Sequence, residues 1–133
     1  MGVRRDNITS GTSWEREFGY SRAVRADRFV YVAGTTATDG SGGIIGVGDA
    51  YAQTVQALRN IRVALRAADA GMEDVVRTRL YVTDMGDEER VARAHREFFE
   101  EIRPASTIVE VRRLVSPEML VEIEAEAVLP PGR

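Results

Sequence analysis

Val121-Glu122-Ile123-Glu124-Ala125-Glu126-Ala127 alternates apolar residues with glutamates along its whole length. Period two marks a β-strand, because successive side chains point to opposite faces of a sheet. One face of this strand needs a dry covering layer. The other carries three carboxylates, which repel one another unless solvent or arginines separate them. Such a strand belongs to a sheet with helices on one side and charge on the other, which predicts an α+β domain. Arg77, Arg79 and Arg112 are the cations available to the glutamates, and a charge-bearing sheet face of this kind is consistent with a symmetric oligomer.

Upstream, residues 107–111 read as another strand. The intervening Leu114-Val115-Ser116-Pro117-Glu118-Met119 is long enough for a hairpin return, so 107–113 and 120–128 are expected to pair and to wall the functional site. Val75–Val82 alternates as well, with Val76, Thr78, Leu80 and Val82 expected on one side. Residues 20–26 and 28–34 read as two strands about Asp27; Phe29-Val30-Tyr31-Val32-Ala33, almost continuously apolar, should be central.

Two helices complete the pattern. Asp49 can cap the first, in which Tyr51, Val55, Leu58, Ile61 and Leu65 recur at three- to four-residue spacing, with Gly71 suited to a left-handed stop. Arg59, Arg62 and Arg66 share its other face. Asp87, Glu88 and Glu89 favour the start of the second; Val91, Ala94, Phe98 and Ile102 form its stripe, and Pro104 ends it. Residues 38–48 are a glycine-rich loop without a phosphate-loop ending. Residues 1–19 read as an irregular lead-in whose Trp14 and Phe18 are pinned to the body. The expected order is ββαβαββ, one sheet with two helices on one face, in one domain over residues 1–133.

Composition narrows the chemistry. With 133 residues, 44% hydrophobic and 29% charged, the chain is long enough for a sizeable core and too apolar for disorder. No apolar run approaches a membrane span, and Met1–Asp6 lacks the apolar segment of a signal peptide, so a cytoplasmic protein is expected. Cysteine is absent, excluding disulfides and thiol nucleophiles. Lysine is absent too, which removes Schiff-base catalysis. The single histidine, His95, lies beside the second apolar stripe and reads as structural. With no cysteine and one histidine, a His/Cys metal site cannot be built in one chain. A net charge of −3 gives no general attraction to nucleic acid.

Several segments together are similar to the Rid/YjgF family, also labelled endoribonuclease L-PSP. They are Phe29-Val30-Tyr31-Val32-Ala33-Gly34, Gln53-Thr54-Val55-Gln56-Ala57-Leu58-Arg59-Asn60-Ile61 and Val75-Val76-Arg77-Thr78-Arg79-Leu80-Tyr81-Val82-Thr83-Asp84. The strongest are Arg103-Pro104-Ala105-Ser106-Thr107-Ile108-Val109-Glu110-Val111 and Val121-Glu122-Ile123-Glu124-Ala125. The resemblance implies a chorismate mutase-like homotrimer with a small-molecule pocket at each subunit interface. Deaminating members hydrolyse imines or enamines to a 2-keto acid and ammonia without a cofactor or metal. An arginine clamps the substrate carboxylate and a glutamate holds the attacking water.

Carried over position by position, the resemblance makes Glu122 the glutamate and Tyr20 the pocket tyrosine. Ala33 stands where deaminating members have a serine, and Ser106 where they have the clamping arginine; Gly34 and Ile108 lie beside these in the pocket. Arg112 is six strand residues beyond Ser106, about 20 Å, and so out of reach. Arg103 is the nearer surrogate. Trp14, Phe18 and His95 are candidates for a more aromatic lining. The resemblance therefore implies a metabolite-binding trimer without efficient imine deaminase activity, with a working deaminase and a non-catalytic binding protein as the rival readings.

Overall fold

The computed structural model, which describes residues 2–133, contains β1 (Arg5–Ile8), α1 (Ser13–Phe18), β2 (Ala23–Ala26), β3 (Phe29–Thr35), α2 (Ala50–Ala67), β4 (Val75–Val82), α3 (Glu88–Phe99), β5 (Ala105–Glu110) and β6 (Val121–Val128). The strands form one six-stranded sheet in the order β1-β2-β3-β6-β4-β5. All neighbours are antiparallel except β4 and β5, which are parallel.

Alternation in β6 becomes burial. Val121, Ile123, Ala125 and Ala127 are buried against the helix layer, while Glu122, Glu124 and Glu126 are only half-buried on the other face. Leu58, Ile61 and Leu65 of α2 and Val91 of α3 meet them from the helix side, all essentially inaccessible. Burying each such side chain contributes about 1.5–3 kcal/mol, so these stripes fix which way the helices lie. The Asp49 carboxylate caps α2 as expected, accepting from Ala52 N at 3.0 Å. On the open face Arg79 pairs with Glu126 at 3.1 Å and Arg77 reaches it at 3.7 Å, but Arg112 makes no ion pair among the described residues. Among the described residues, no helix is long and apolar enough to cross a membrane.

Several expectations are corrected. The two C-terminal strands are not a pair: β4 lies between β5 and β6. The reason is the α3 crossover, since a strand–helix–strand connection brings its second strand back parallel to the first. β6 is then left to fill the gap between β3 and β4. The lead-in is not irregular, because Arg5–Ile8 adds an edge strand to β2 and Ser13–Phe18 is a short helix. Phe18 and Trp14 are not pinned to the body; they are exposed and meet each other edge-on at 5.7 Å. Gly71 does not stop α2. The left-handed residue there is Asp69, with φ 63°. Val76 faces solvent and Val75 the core, since the β4–β6 register shifts between Val75 and Arg77.

Candidate functional site

One irregularity in β3 creates the cleft. Val32 lies opposite Ala125 and Thr35 opposite Ile123, so β3 carries one residue more than β6 between these pairs. The extra residue makes a bulge at Ala33-Gly34, the kind of distortion that re-aims side chains beside a site. Residue 22 pins it from two directions. The Ala33 N–H donates to the Arg22 carbonyl at 3.0 Å, and Arg22 Nη2 donates to the Gly34 carbonyl at 2.5 Å.

Glu122 lies directly over this bulge. A methyl group on Gly34 would stand 2.9 Å from Glu122 Cδ and would overlap Oε2, so the glycine is there for close approach and not for its backbone angles. The obstacle is the far end of a flexible side chain. Gly34→Ala is therefore expected to swing the carboxylate aside at a stability cost below about 1 kcal/mol. Carboxyl NMR should then show the Glu122 titration returning toward its ordinary range while chemical denaturation changes little.

Burial pushes the Glu122 carboxyl above its ordinary 4.5; the Arg22 charge opposes the shift and Glu124 adds to it. A carboxyl whose folded value is raised is destabilising when ionised, and that penalty is absent below the unfolded value. Glu122→Gln is thus expected to raise the melting temperature at neutral pH, with the gain disappearing as pH falls through Glu122's folded value toward 4.5. Melts from pH 4 to pH 8 read this directly; a gain independent of pH would contradict it.

The cleft holds about 280 Å³ between α1, the segment leading into β2, the β3 bulge, the start of β6 and the 114–119 loop. Tyr20, Ala33, Gly34 and Glu122 all line it, as do Trp14 and Phe18. Sequence reasoning passed over Arg22, another lining residue. The signal was present, because Tyr20 and Arg22 two residues on share a side of an extended chain. The guanidinium stands 5.6 Å from the Tyr20 ring centre.

Ser106, Ile108 and Arg103 lie elsewhere. β5 is the sheet's far edge, two strand spacings or about 10 Å from β6. Ser106 Oγ accepts from Thr78 Oγ1 at 2.8 Å, and the same Thr78 oxygen lies 2.9 Å from His95 Nε2. Thr78 has one hydroxyl proton. If that proton goes to Ser106, His95 donates from Nε2 and the Ser106 hydroxyl is left free to donate outward. Burial holds His95 below its usual 6.5, so it is neutral at neutral pH. Ser106 thus turns toward the helix layer, whereas Glu122 is on the opposite face. Arg103 (φ 53°) donates from Nε to the Glu100 carbonyl at 3.0 Å and lines a separate hollow with His95 and Phe99. The predicted residues form two groups within one chain, with no metal-binding cluster among the described residues.

The chain is similar to proteins of one known family. The family model described as endoribonuclease L-PSP matches residues 12–129. The uncharacterized protein SCO2049 of Streptomyces coelicolor is 41% identical over 94% of this chain and 91% of its own length. The 3-aminoacrylate deaminase RutC of Acinetobacter baylyi is 36% identical, covering 81% of this chain and 85% of that protein. The mouse 2-iminobutanoate/2-iminopropanoate deaminase is 35% identical, with 84% and 82% covered. The crystal structure of Rv2704 from Mycobacterium tuberculosis, a member of the YjgF/YER057c/UK114 family, superposes with a TM-score of 0.87 at 45% identity, over 95% of this chain and 100% of that one. The chain belongs to the Rid/YjgF family, the endoribonuclease L-PSP family of the matching model.

Proposed function

We propose that this protein binds a small metabolite in the Glu122 cleft, completed in a homotrimer by the β5 edge of an adjoining subunit, and that it hydrolyses 2-imino acids poorly. Ser106 carries the reading. It sits where the resemblance places a clamping arginine, and it offers one neutral hydroxyl tied back to Thr78. A guanidinium would grip a carboxylate with two parallel charge-assisted bonds, each worth more than a neutral one. The separation of the predicted residues supports the interface, because Ser106 and Ile108 lie on an edge strand that a second chain can bring to the cleft. Nucleic acid is not the proposed partner, given the net charge of −3 and the single histidine.

The rival reading, a working imine or enamine deaminase, draws support from Glu122 and from the names of two relatives. In that chemistry water adds across C=N, its hydroxyl to carbon and its proton to nitrogen, and the carbinolamine then loses ammonia to leave a 2-keto acid. A carboxyl held over the cleft with a raised pKa suits the proton transfers.

Trapping separates the two. An amino-acid oxidase generates the imine, semicarbazide captures it, and capture is followed with and without this protein. Unchanged capture is expected; a marked fall would establish the deaminase. Sedimentation at micromolar concentration is expected to give a trimer, and a clean monomer would remove the interface pocket.

A further inference from the structure

Arg22 has no role in the resemblance, yet it is the cation of the cleft. We infer that Arg22 is the anion-binding group of this site and that its ligand is a small monocarboxylate whose apolar part lies against Trp14 and Phe18. The inference rests on the cleft being the ligand site.

Four observations carry it. A guanidinium has five N–H donors, and the bond made here is the one from Nη2 to Gly34. Nε is buried without a partner among the described residues, so the donors open to a ligand are those of the Nη nitrogens. Arg22 makes no ion pair among those residues either, and arginine cannot shed its charge to relieve the mismatch. The Tyr20 ring flanks it at 5.6 Å, limiting the plane it can adopt. A planar, charged fork with donors to spare, set in a concave wall, matches a carboxylate.

The rest of the cleft limits what bears that carboxylate. Trp14 and Phe18 form an edge-on pair, with Val115 and Met119 also lining the cleft, so one wall is apolar. A volume of about 280 Å³ admits on the order of ten non-hydrogen atoms at ~30 Å³ per water-sized group. Glu122 stands beside Arg22 and would repel a second negative charge, which favours a monoanion over a phosphate ester.

Phenylacetate and phenylacetamide test this, since they differ only in charge at the end that would meet Arg22. Trp14 is the chain's single tryptophan, so its fluorescence reports occupancy of this cleft. The wild type is expected to bind phenylacetate about tenfold or more tightly than the amide. Arg22→Met should bring the ratio to about one, by weakening phenylacetate binding far more than amide binding. Should that variant fail to fold for lack of the Gly34 bond, Arg22→Gln can donate to Gly34 without charge and reads the same ratio. A wild-type ratio near one, or a neutral variant that keeps the preference, overturns the inference while the cleft stands. If neither probe perturbs Trp14, the cleft reading fails and the inference falls with it.

Discussion

Arg25→Met is expected to lower the unfolding free energy by about 4 kcal/mol, read as a shift of the denaturation midpoint at unchanged slope. Arg25 is 1% exposed, an extreme for a residue that always carries charge. It is tolerated because main-chain carbonyls surround it. Nε donates to Asp27 O at 2.9 Å, Nη1 to Ala68 O at 3.1 Å, and Nη2 to the Arg133 carbonyl. Ala68 is the C-terminal cap of α2, where a cation also meets the negative end of the helix dipole. The accompanying ion pair to Asp69 is 3.7 Å long with the aspartate 74% exposed, and it contributes little. Methionine fills much of the volume without donating. Some buried ion pairs are replaced by apolar residues without loss, but there both partners change. Here the acceptors are backbone and stay behind, and a buried orphan carbonyl costs about 1–3 kcal/mol. A loss below about 1 kcal/mol would mean that water reaches those carbonyls in the variant.

Ser106→Arg is the second large effect, and it concerns activity. In the imine-trapping assay this variant is expected to hydrolyse imines about 30- to 100-fold faster than the wild type, reflecting about 2–3 kcal/mol of regained carboxylate binding. Ser106 is exposed on an edge strand, so the longer side chain has room, and the loss of the bond to Thr78 should cost about 1 kcal/mol. Ser106→Lys should gain less, because an ammonium lacks the planar fork. Adding Glu122→Gln to the arginine variant should remove the gain. If Ser106→Arg stays inactive while folded and trimeric, the deficit extends beyond the clamp, with Ala33 the next position to restore.

What could be read from residues alone was whatever depends on one element and its covering layer. The alternation of residues 121–127 and the stripe of Leu58, Ile61 and Leu65 are imposed by a single dry face, so they appear as periodicity. Strand order is a property of pairs. Residues 107–111 look the same beside β6 as beside β4, and only the α3 crossover distinguishes them. Arg5-Asp6-Asn7-Ile8 is too short and polar to announce a strand, because an edge with one neighbour buries little. Glu122 and Tyr20 were named by resemblance, and both line the cleft. Arg22 was marked only by its two-residue spacing from Tyr20; no motif names it, and its meaning comes from the bulge it pins. The Ser106–Thr78–His95 line joins three elements, and no sequence spacing predicts it.

The position of β6 also bears on how the chain comes together during synthesis. It is the last of the six strands to leave the ribosome, yet it lies between β3 and β4 in the sheet. Until it emerges, β1-β2-β3 and β4-β5 are two half-sheets with no hydrogen bonds between them, each presenting an open edge. The nascent polypeptide therefore cannot close its core segment by segment, and long-range pairing of this sort folds slowly. Emergence of β6, more than that of any earlier element, sets when this domain can become native. Until then, the two open edges are where a neighbouring unfinished chain can attach.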